Sequence, residues 1–273
     1  MPRLGHRARD GLNRPAQLAM DTAGAIVGGT LAGVAKLRGG KAVHPHGVSY
    51  TARLAVDGAP AAPRASELLS TRAEHPAIVR FSRSVGLPRP LPDLLGMSIR
   101  VLDAYGEGHH QDFLLVTSVD LPVLHHLFLP AGDVQQRPYS SSLPYRAGDR
   151  SFLLGARPVP DSPRPGGADE FDRLERAALT GRLRFELVIA PAFGRFERVG
   201  TLHLDTKLPA ILDALRYSPF NSGGGLAPAG ALNRLRDYAY PLSQRAWGST
   251  GGRVEAQRCA DAEVRALAAR SPR

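Results

Sequence analysis

The sequence predicts an α+β fold, in which a closed or nearly closed β-barrel carries helical additions. Short runs rich in Val, Ile, Leu and Phe, each bounded by Gly, Pro or Asp, recur through the first two thirds of the chain. Helical patterns prevail after residue 208. With 273 residues and 43% apolar residues, the chain can bury a real core, and its length fits one large domain as well as two small ones.

The elements are predicted in chain order from these runs. Strands are expected at 48–56, 77–81, 96–102 and 112–117, followed by a helix at 121–129 and a loop that reaches residue 155. A Pro/Gly-rich surface loop at 156–168, a short helix at 171–183 and strands at 183–189 and 195–204 follow. The last part is predicted as a helix at 208–217, a glycine turn at 223–225 and helices at 232–247 and 253–269.

Three segments are expected: a basic leader with a Gly-rich helix at 1–40, a barrel domain at 41–250 and a C-terminal helix at 251–273. The apolar run at 22–35 is too short to span a bilayer comfortably. Its small-residue spacing suits a packing helix, while a signal-peptide core or peripheral membrane contact stays open.

Composition narrows the function classes. The formal charge is +10, but the arginines are scattered, which argues against a nucleic-acid partner. Arginine exceeds lysine, as is typical of GC-rich bacterial genomes. Cys259 is the only cysteine, so no intrachain disulfide and no cysteine-based metal site can form. This predicts a reducing, cytoplasmic location, with membrane association and a homodimer left open.

A late segment contains an arginine four residues before a tyrosine, Arg236 and Tyr240, followed by Pro241, Ser243 and Arg245. Positions i and i+4 share a helix face, so Arg236 can favour the ionised form of the Tyr240 phenol. A phenolate can serve as the axial ligand of haem iron. The segment resembles the proximal-ligand motif of haem catalases, Arg-x-x-x-Tyr-Pro-x-Thr-x-Arg. Tyr238 fits part of the same pattern and remains the alternative ligand.

Two further motifs resemble the distal side of the same family. Lys41–Gly47 is similar to Arg-x-Val-His-x-Lys-Gly, with His44 at the histidine and Lys41 in place of the arginine. Val79–Ser82 matches the family's Val-Arg-Phe-Ser strand. In addition, Asp93–Arg100 is similar to its Asp-x-Arg-Gly-Phe-Ala-x-Lys strand. Gly200–Leu204 and Tyr217–Asn221 keep the family's order upstream of the ligand helix.

The resemblance spans residues 41–245 and implies a catalase-type antiparallel β-barrel with flanking helices that binds haem b. It implies that Tyr240 ligates the iron and that His44 acts as acid and base, oriented by the Ser82 hydroxyl. It also implies cationic partners for the haem propionates, namely Lys41, Arg80 and Arg245.

The chain departs from the family pattern at one chemical position. Val116 falls where catalases have an asparagine that hydrogen-bonds peroxide, and Thr117 substitutes only if the register slips by one residue. The resemblance leads us to expect no counterpart of the family's long N-terminal arm and C-terminal additions. We therefore expect a small catalase-related haem protein: a peroxidase, or an enzyme that transforms fatty-acid hydroperoxides, with weak catalase activity. Its partners would be a hydroperoxide and a small organic reductant or lipid. The alternative is a haem-binding or haem-free carrier without turnover.

Two histidine pairs, His109–His110 and His125–His126, are the other candidate metal ligands. Adjacent residues on a strand point to opposite faces, so neither pair is expected to converge on a metal. Both pairs are predicted to be solvated or to cap turns.

Overall fold

The computed structural model describes residues 46–122, 124–191, 194–230 and 251–270. The strands are β1 (His46–Val56), β2 (Ala73–Arg83), β3 (Leu95–Val101), β4 (Gln111–Thr117), β5 (Tyr139–Ser140), β6 (Tyr145–Ala147), β7 (Arg150–Pro158), β8 (Arg184–Ala190), β9 (Glu197–Lys207) and β10 (Leu226–Pro228). The helices are α1 (Glu67–Ser70), α2 (Glu170–Ala178), α3 (Gly251–Arg270) and a 3₁₀ helix at Ala210–Ala214.

Eight strands form a closed antiparallel barrel in the order β1-β2-β3-β4-β5-β7-β8-β9, with β9 pairing back to β1. The short strands β6 and β10 extend the sheet from β7. Closure leaves no free edge in the eight-stranded ring, and eight strands enclose an interior that side chains can fill. The predicted antiparallel barrel is confirmed.

Alternation along the strands sends one set of side chains into the barrel. Four aromatic rings meet there around Phe81, whose ring centroid lies 6.4 Å from Tyr50, 6.4 Å from Tyr139 and 5.7 Å from Phe185. All four side chains are fully buried. The interior is thus a packed core, which leaves the outer face of the barrel as the place for a site.

The outer face of β2 carries a second apolar cluster. Ile78 packs there with residues of the 3₁₀ helix region and of α3, namely Leu212, Leu215, Ala260 and Val264. Because side chains alternate, Arg80 and Ser82 share the outer face with Ile78. The cluster therefore lies on the same face of β2 as these two polar residues.

Several predicted elements differ from the structure. Residues 121–129, predicted as a helix, form turns in their described part, because a bridge between Ser118 and Phe128 folds the segment back along β4. The predicted loop before residue 155 contains β5, β6 and the start of β7. Strands β5 and β6 are too short to show the alternation of apolar and polar residues that is typical of a strand. The helix predicted at 208–217 shrinks to the 3₁₀ helix, and the predicted 22–35 and 232–247 helices lie outside the described residues.

Within the described ranges, no helix combines the length and apolar character needed to cross a membrane.

Candidate functional site

A row of small outward-facing residues crosses the first four strands of the barrel. Gly47 on β1 lies opposite Ser82 on β2, which lies opposite Gly96 on β3, which in turn lies opposite Val116 on β4. Neighbouring strands are about 4.8 Å apart, so Ser82 and Val116 are about 10 Å apart across the sheet. Gly47 and Gly96 place no side chain on this face, and Ser82 and Gly96 are both buried.

Arg80 occupies the next outward position of β2, in a row with Ser49, Ser98 and Leu114. Its side chain is only 8% exposed. A Cβ atom at Gly47 would lie 2.6 Å from the Arg80 Nη2 atom and 2.6 Å from the Phe81 carbonyl oxygen. The guanidinium therefore crosses to β1 in the space that the missing side chain of Gly47 leaves. Only glycine fits at this position without displacing the arginine.

The end of β2 is fixed by a buried charge network that follows Ser82. The Asp93 carboxylate accepts hydrogen bonds from the backbone N–H groups of residues 85–87. Arg83 lies 3.3 Å from this carboxylate and donates to Glu170 at 2.9 Å. It also donates to the carbonyls of Leu87 and Leu91. Because these buried charges are paired and hydrogen-bonded to several backbone groups, the network holds the backbone at Ser82 in place.

A second buried ion pair fastens the segment after the 3₁₀ helix to the same outer face. Arg100 donates to both carboxylate oxygens of Asp112 at 2.7 Å and to the Arg216 carbonyl at 2.7 Å. The Ser218 N–H donates to Asp112 at 3.0 Å. Burial alone would lower the pKa of Arg100, but the hydrogen bonds and charge of Asp112 outweigh it and raise that pKa. We call this arrangement the Arg100–Asp112 clasp.

The clasp brings together two stretches that the sequence analysis noted separately, Asp93–Arg100 and Tyr217–Asn221. Its ring contact is with Tyr217, which lies 5.2 Å from the Arg100 guanidinium carbon. The Asp112 N–H also donates to the Asn221 carbonyl at 2.8 Å. Sequence reasoning missed this pair, although opposite charges at outward positions of consecutive strands were a usable signal.

The histidine pairs are structural where the chain is described. His125 and His126 are buried, so of the two predicted roles, solvated or turn-capping, the solvated one is wrong. The two ring nitrogens of His125 lie 3.3 and 3.2 Å from the carbonyl oxygens of Val119 and Gly194. The His110 Nδ1 atom accepts from the Asp103 N–H. No group of three potential metal-ligating side chains occurs among the described residues.

The predicted site residues divide into three groups. Arg80 and Ser82 are brought together on the outer face, in line with Val116. Thr117 is not brought to them. It is two residues after the inward-facing Leu115 and so faces the same way, and its hydroxyl accepts the Leu95 N–H at 3.2 Å. The strand shows no one-residue slip that would bring the Thr117 hydroxyl to the outer face. Five predicted residues lie outside the described residues: Lys41, His44, Arg236, Tyr240 and Arg245.

Two surface cavities of about 350 and 240 Å³ lie elsewhere on the described part of the protein. The larger is lined by residues of the β6–β7 turn and of the 60–65 segment, and the smaller by residues near Asp133 and Arg173. Neither includes Arg80 or Ser82. The candidate site is therefore an outer wall of the barrel, whose predicted partners fall on 41–45 and 231–250.

The protein is thus a closed antiparallel barrel with a buried arginine and a buried serine on the outer face of its second strand. No family model matches the chain, and no curated protein matches it. Among solved structures, it is similar to a fungal catalase with 13% identity and a TM-score of 0.57, over 79% of this chain and 62% of that one.

Two further solved structures are similar at the same level. A bacterial catalase aligns with 13% identity and a TM-score of 0.52, over 79% of this chain and 60% of that chain. Catalase A from Saccharomyces cerevisiae aligns with 11% identity and a TM-score of 0.51, over 84% of this chain and 63% of that chain. The chain thus spans about three fifths of the length of these catalases. The likeness establishes a catalase-like fold.

Proposed function

We propose that this protein is a haem-dependent enzyme that cleaves hydroperoxides. The observation that carries the proposal is the pairing of Arg80 and Ser82, both buried on the outer face of a catalase-like barrel. These are the positions at which the sequence resemblance requires a cation for a propionate and a hydroxyl beside the distal histidine. The fold and the motif thus point to the same face.

The described residues fit such a cofactor in charge and in shape. A buried guanidinium is suited to bidentate carboxylate binding, and Arg80 provides one. The strip from Gly96 to Val116 and Leu114 is small or apolar and suits a flat macrocycle. Lys41 and Arg245 would add cations, and Tyr240 would hold the iron, its phenol kept ionised by Arg236.

The chain's own residues would handle the proton. The Ser82 hydroxyl would hold one ring nitrogen of His44 and so fix its tautomer. The other nitrogen is then free to take the hydroperoxide proton and to return it to the departing oxygen. Haem, when bound with a phenolate ligand, supplies the redox centre for O–O cleavage.

Val116 shapes the expected substrate preference. It is half-buried, faces outward in the Ser82 row and offers no hydrogen-bond donor. Oxidation of a second hydrogen peroxide relies on such a donor, so weak catalase activity is expected. Electrons would come from a small organic reductant, or the oxygen would stay in a lipid product. A cytoplasmic location, membrane association and a homodimer remain predictions.

The same valine supports a second candidate, a haem-binding or haem-free carrier without turnover. A carrier needs the apolar wall and the cation but no peroxide-orienting donor. The two candidates differ in one measurable property, which is consumption of hydroperoxide by the purified protein.

The first experiment is a visible spectrum of the full-length protein, purified after expression with a haem precursor. We expect a Soret band with high-spin ferric features, which is lost in Tyr240→Phe and kept in the matched control Tyr238→Phe. Retention of full haem occupancy by Tyr240→Phe would remove the ligand assignment. A colourless protein that also takes up no added hemin would refute the haem enzyme and the haem carrier together.

The second experiment measures turnover. Ser82→Ala should keep the haem spectrum and lower the rate of hydroperoxide consumption about 10- to 100-fold, as expected when a general base is poorly oriented. Val116→Asn should raise hydrogen peroxide dismutation, whereas Leu114→Asn, one row lower on the same strand, should not. A haem-loaded wild type that consumes no hydroperoxide would favour the carrier.

A further inference from the structure

The smaller cavity, of about 240 Å³, lies between the segment before β5 and the segment before α2, apart from the outer wall that carries Ser82. Its lining consists of Asp133, Gln135, Gln136, Arg164, Pro165 and Arg173. A volume of this size suits a small polar molecule, since sites for drug-sized ligands occupy about 300–1,000 Å³. None of the six lining residues belongs to the proposed haem site, so a ligand here is independent of haem.

The Gln135 side chain carries a buried acceptor that the protein leaves unpaired. Gln135 is 5% exposed, and its Oε1 atom has no hydrogen-bond partner among the described residues. Its Nε2 atom donates to the Pro163 carbonyl at 2.9 Å, which fixes the orientation of the amide, because a flipped amide would set two oxygens against each other. Buried polar atoms are nearly always hydrogen-bonded, so an unpaired acceptor beside a cavity indicates a ligand that brings an O–H or N–H donor.

The backbone and the charges around Gln135 are held in place within the protein. The Gln135 N–H donates to one oxygen of the Asp133 carboxylate at 2.8 Å. The other oxygen accepts from the Arg173 Nε atom at 2.5 Å, and Arg173 also donates to the Gly132 carbonyl at 2.9 Å. Asp133 and Arg173 therefore neutralise each other. The cavity is preformed, so a ligand loses little of its binding energy in ordering it.

Two further groups of the lining can donate to a ligand. Arg164 is exposed and forms no ion pair within the described ranges. The Gln136 Oε1 atom accepts the Gly132 N–H at 2.7 Å, which leaves the Nε2 group of the same amide as a donor. Because the aspartate–arginine pair is neutral, the lining carries one net positive charge. Asp161, the acidic residue nearest to Arg164 in the sequence, does not line the cavity.

We propose that this cavity binds a small monocarboxylate that also carries a hydroxyl or amide donor. Its carboxylate would pair with the Arg164 guanidinium, which can bind both oxygens, and with the Gln136 amide. Its donor would bond the Gln135 Oε1 atom. One net positive charge matches one carboxylate, whereas the Asp133 oxygens in the lining disfavour a dianion such as phosphate.

The test compares two probes that differ in one group, lactate and propionate, in ligand-observed NMR titrations of the full-length protein. Lactate has a carboxylate and a hydroxyl, whereas propionate has the same carbon skeleton without the hydroxyl. We expect saturable binding of one lactate enantiomer that is about tenfold tighter than that of propionate, because propionate leaves the buried acceptor unpaired. Equal affinities, no saturable binding of either lactate enantiomer, or tighter binding of inorganic phosphate would overturn the proposal.

Variants separate the two halves of the site. Gln135→Met keeps the length of the side chain and removes the acceptor, so lactate should then bind no more tightly than propionate. Arg164→Gln removes an exposed cation, a change that folding tolerates, and should weaken the binding of both probes about tenfold or more. The matched control is Arg72→Gln, which changes an exposed arginine outside the cavity and should bind both probes as the wild type does.

Hydrogen exchange identifies the bound region directly. Saturating lactate should slow exchange in peptides covering residues 132–137 and 162–166, because the ligand joins these two segments. Protection confined to the larger cavity, at 60–65 and 147–150, would contradict the assignment, as would a preference for lactate that persists in Gln135→Met. Haem-loaded and haem-free protein should respond equally, so loss of haem binding would leave this result unchanged.

Discussion

Replacement of Asp112 by asparagine tests the Arg100–Asp112 clasp most directly. Asparagine has nearly the same shape, so packing is preserved while the charge is removed. The carboxylate accepts two hydrogen bonds of 2.7 Å from Arg100 and one of 3.0 Å from the Ser218 N–H. In Asp112→Asn one acceptor becomes an NH₂ group, which then faces a donor in either orientation of the amide.

The expected loss of stability follows from burial. Asp112 is 0% exposed and Arg100 is 8% exposed, so the variant leaves a guanidinium in the protein interior without its counter-charge. Removing one partner of a buried ion pair costs about 3–5 kcal/mol. The matched control is Asp205→Asn, because Asp205 bonds Arg53 in an exposed pair at 3.2 and 3.3 Å. An exposed pair of this kind contributes about 0–1 kcal/mol.

Urea denaturation followed by far-UV circular dichroism gives the free energy of unfolding of each variant. Hydrogen exchange measured on peptides covering residues 216–221 gives the local effect, which should be faster exchange in Asp112→Asn alone. The double variant Arg100→Met and Asp112→Leu should regain part of the stability, because an apolar pair needs no counter-charge, while the Ser218 N–H and the Arg216 carbonyl still lose a partner.

The reasoning would be refuted by an Asp112→Asn variant that loses no more stability than Asp205→Asn. Equal hydrogen exchange at 216–221 in wild type and variant would refute the role of the clasp in fastening that segment. If the proposed function is also right, haem retention should fall in Asp112→Asn, because the fastened segment leads towards the predicted ligand Tyr240.

Four further substitutions test the packing at Gly47, in the barrel core and at His126. Gly47→Ala should lower the free energy of unfolding by about 1–3 kcal/mol, because the new Cβ atom meets a backbone oxygen at 2.6 Å. Gly166→Ala, whose new Cβ atom has nothing within 4 Å, should be neutral in the same urea titration. Tyr50→Phe should raise the free energy of unfolding by about 1 kcal/mol, since the buried Tyr50 hydroxyl has no hydrogen-bond partner among the described residues. Tyr139→Phe should lower it by a similar amount, because that hydroxyl donates to a carbonyl; a loss of stability in Tyr50→Phe would contradict the first assignment. Burial lowers the pKa of His126 below its ordinary value of 6.5, so the unfolded state takes up a proton first and stability should fall as pH drops below about 6.5. His126→Gln should flatten this dependence between about pH 7 and pH 5 in thermal melts, and an unchanged slope would exclude His126 as its source.

Local patterns in the sequence were sufficient for the long barrel strands. Residues 48–56 and 112–117 alternate or concentrate apolar residues over a length at which the period of two is visible, and both are strands in the structure. The Val-Arg-Phe-Ser motif also determined that Arg80 and Ser82 share one face, because positions two apart on a strand always do. These conclusions depend only on neighbours in the chain.

Elements that depend on contacts between distant parts of the chain could not be predicted from the sequence. Strands β5 and β6 have only two and three residues, too few to show a pattern of their own. They are strands because β5 pairs with β4 and β6 pairs with β7. The leucines at intervals of three in 121–127 are spaced as a helix would space them. The same spacing arises from successive turns, in which Leu124 N–H bonds the Leu121 carbonyl and Leu127 N–H bonds the Leu124 carbonyl.

The candidate site also contains residues that local patterns predict and residues that only distant contacts bring together. The sequence by itself named Arg80, Ser82 and Val116 as residues of one site, through the order and spacing of motifs. Only the tertiary structure decided that Val116 lies in the Ser82 row while Thr117 does not, and that Arg100 and Asp112 join two remote segments. The physical reason is that strand register and ion pairing are set by partners far away in the chain, whose positions no local pattern encodes.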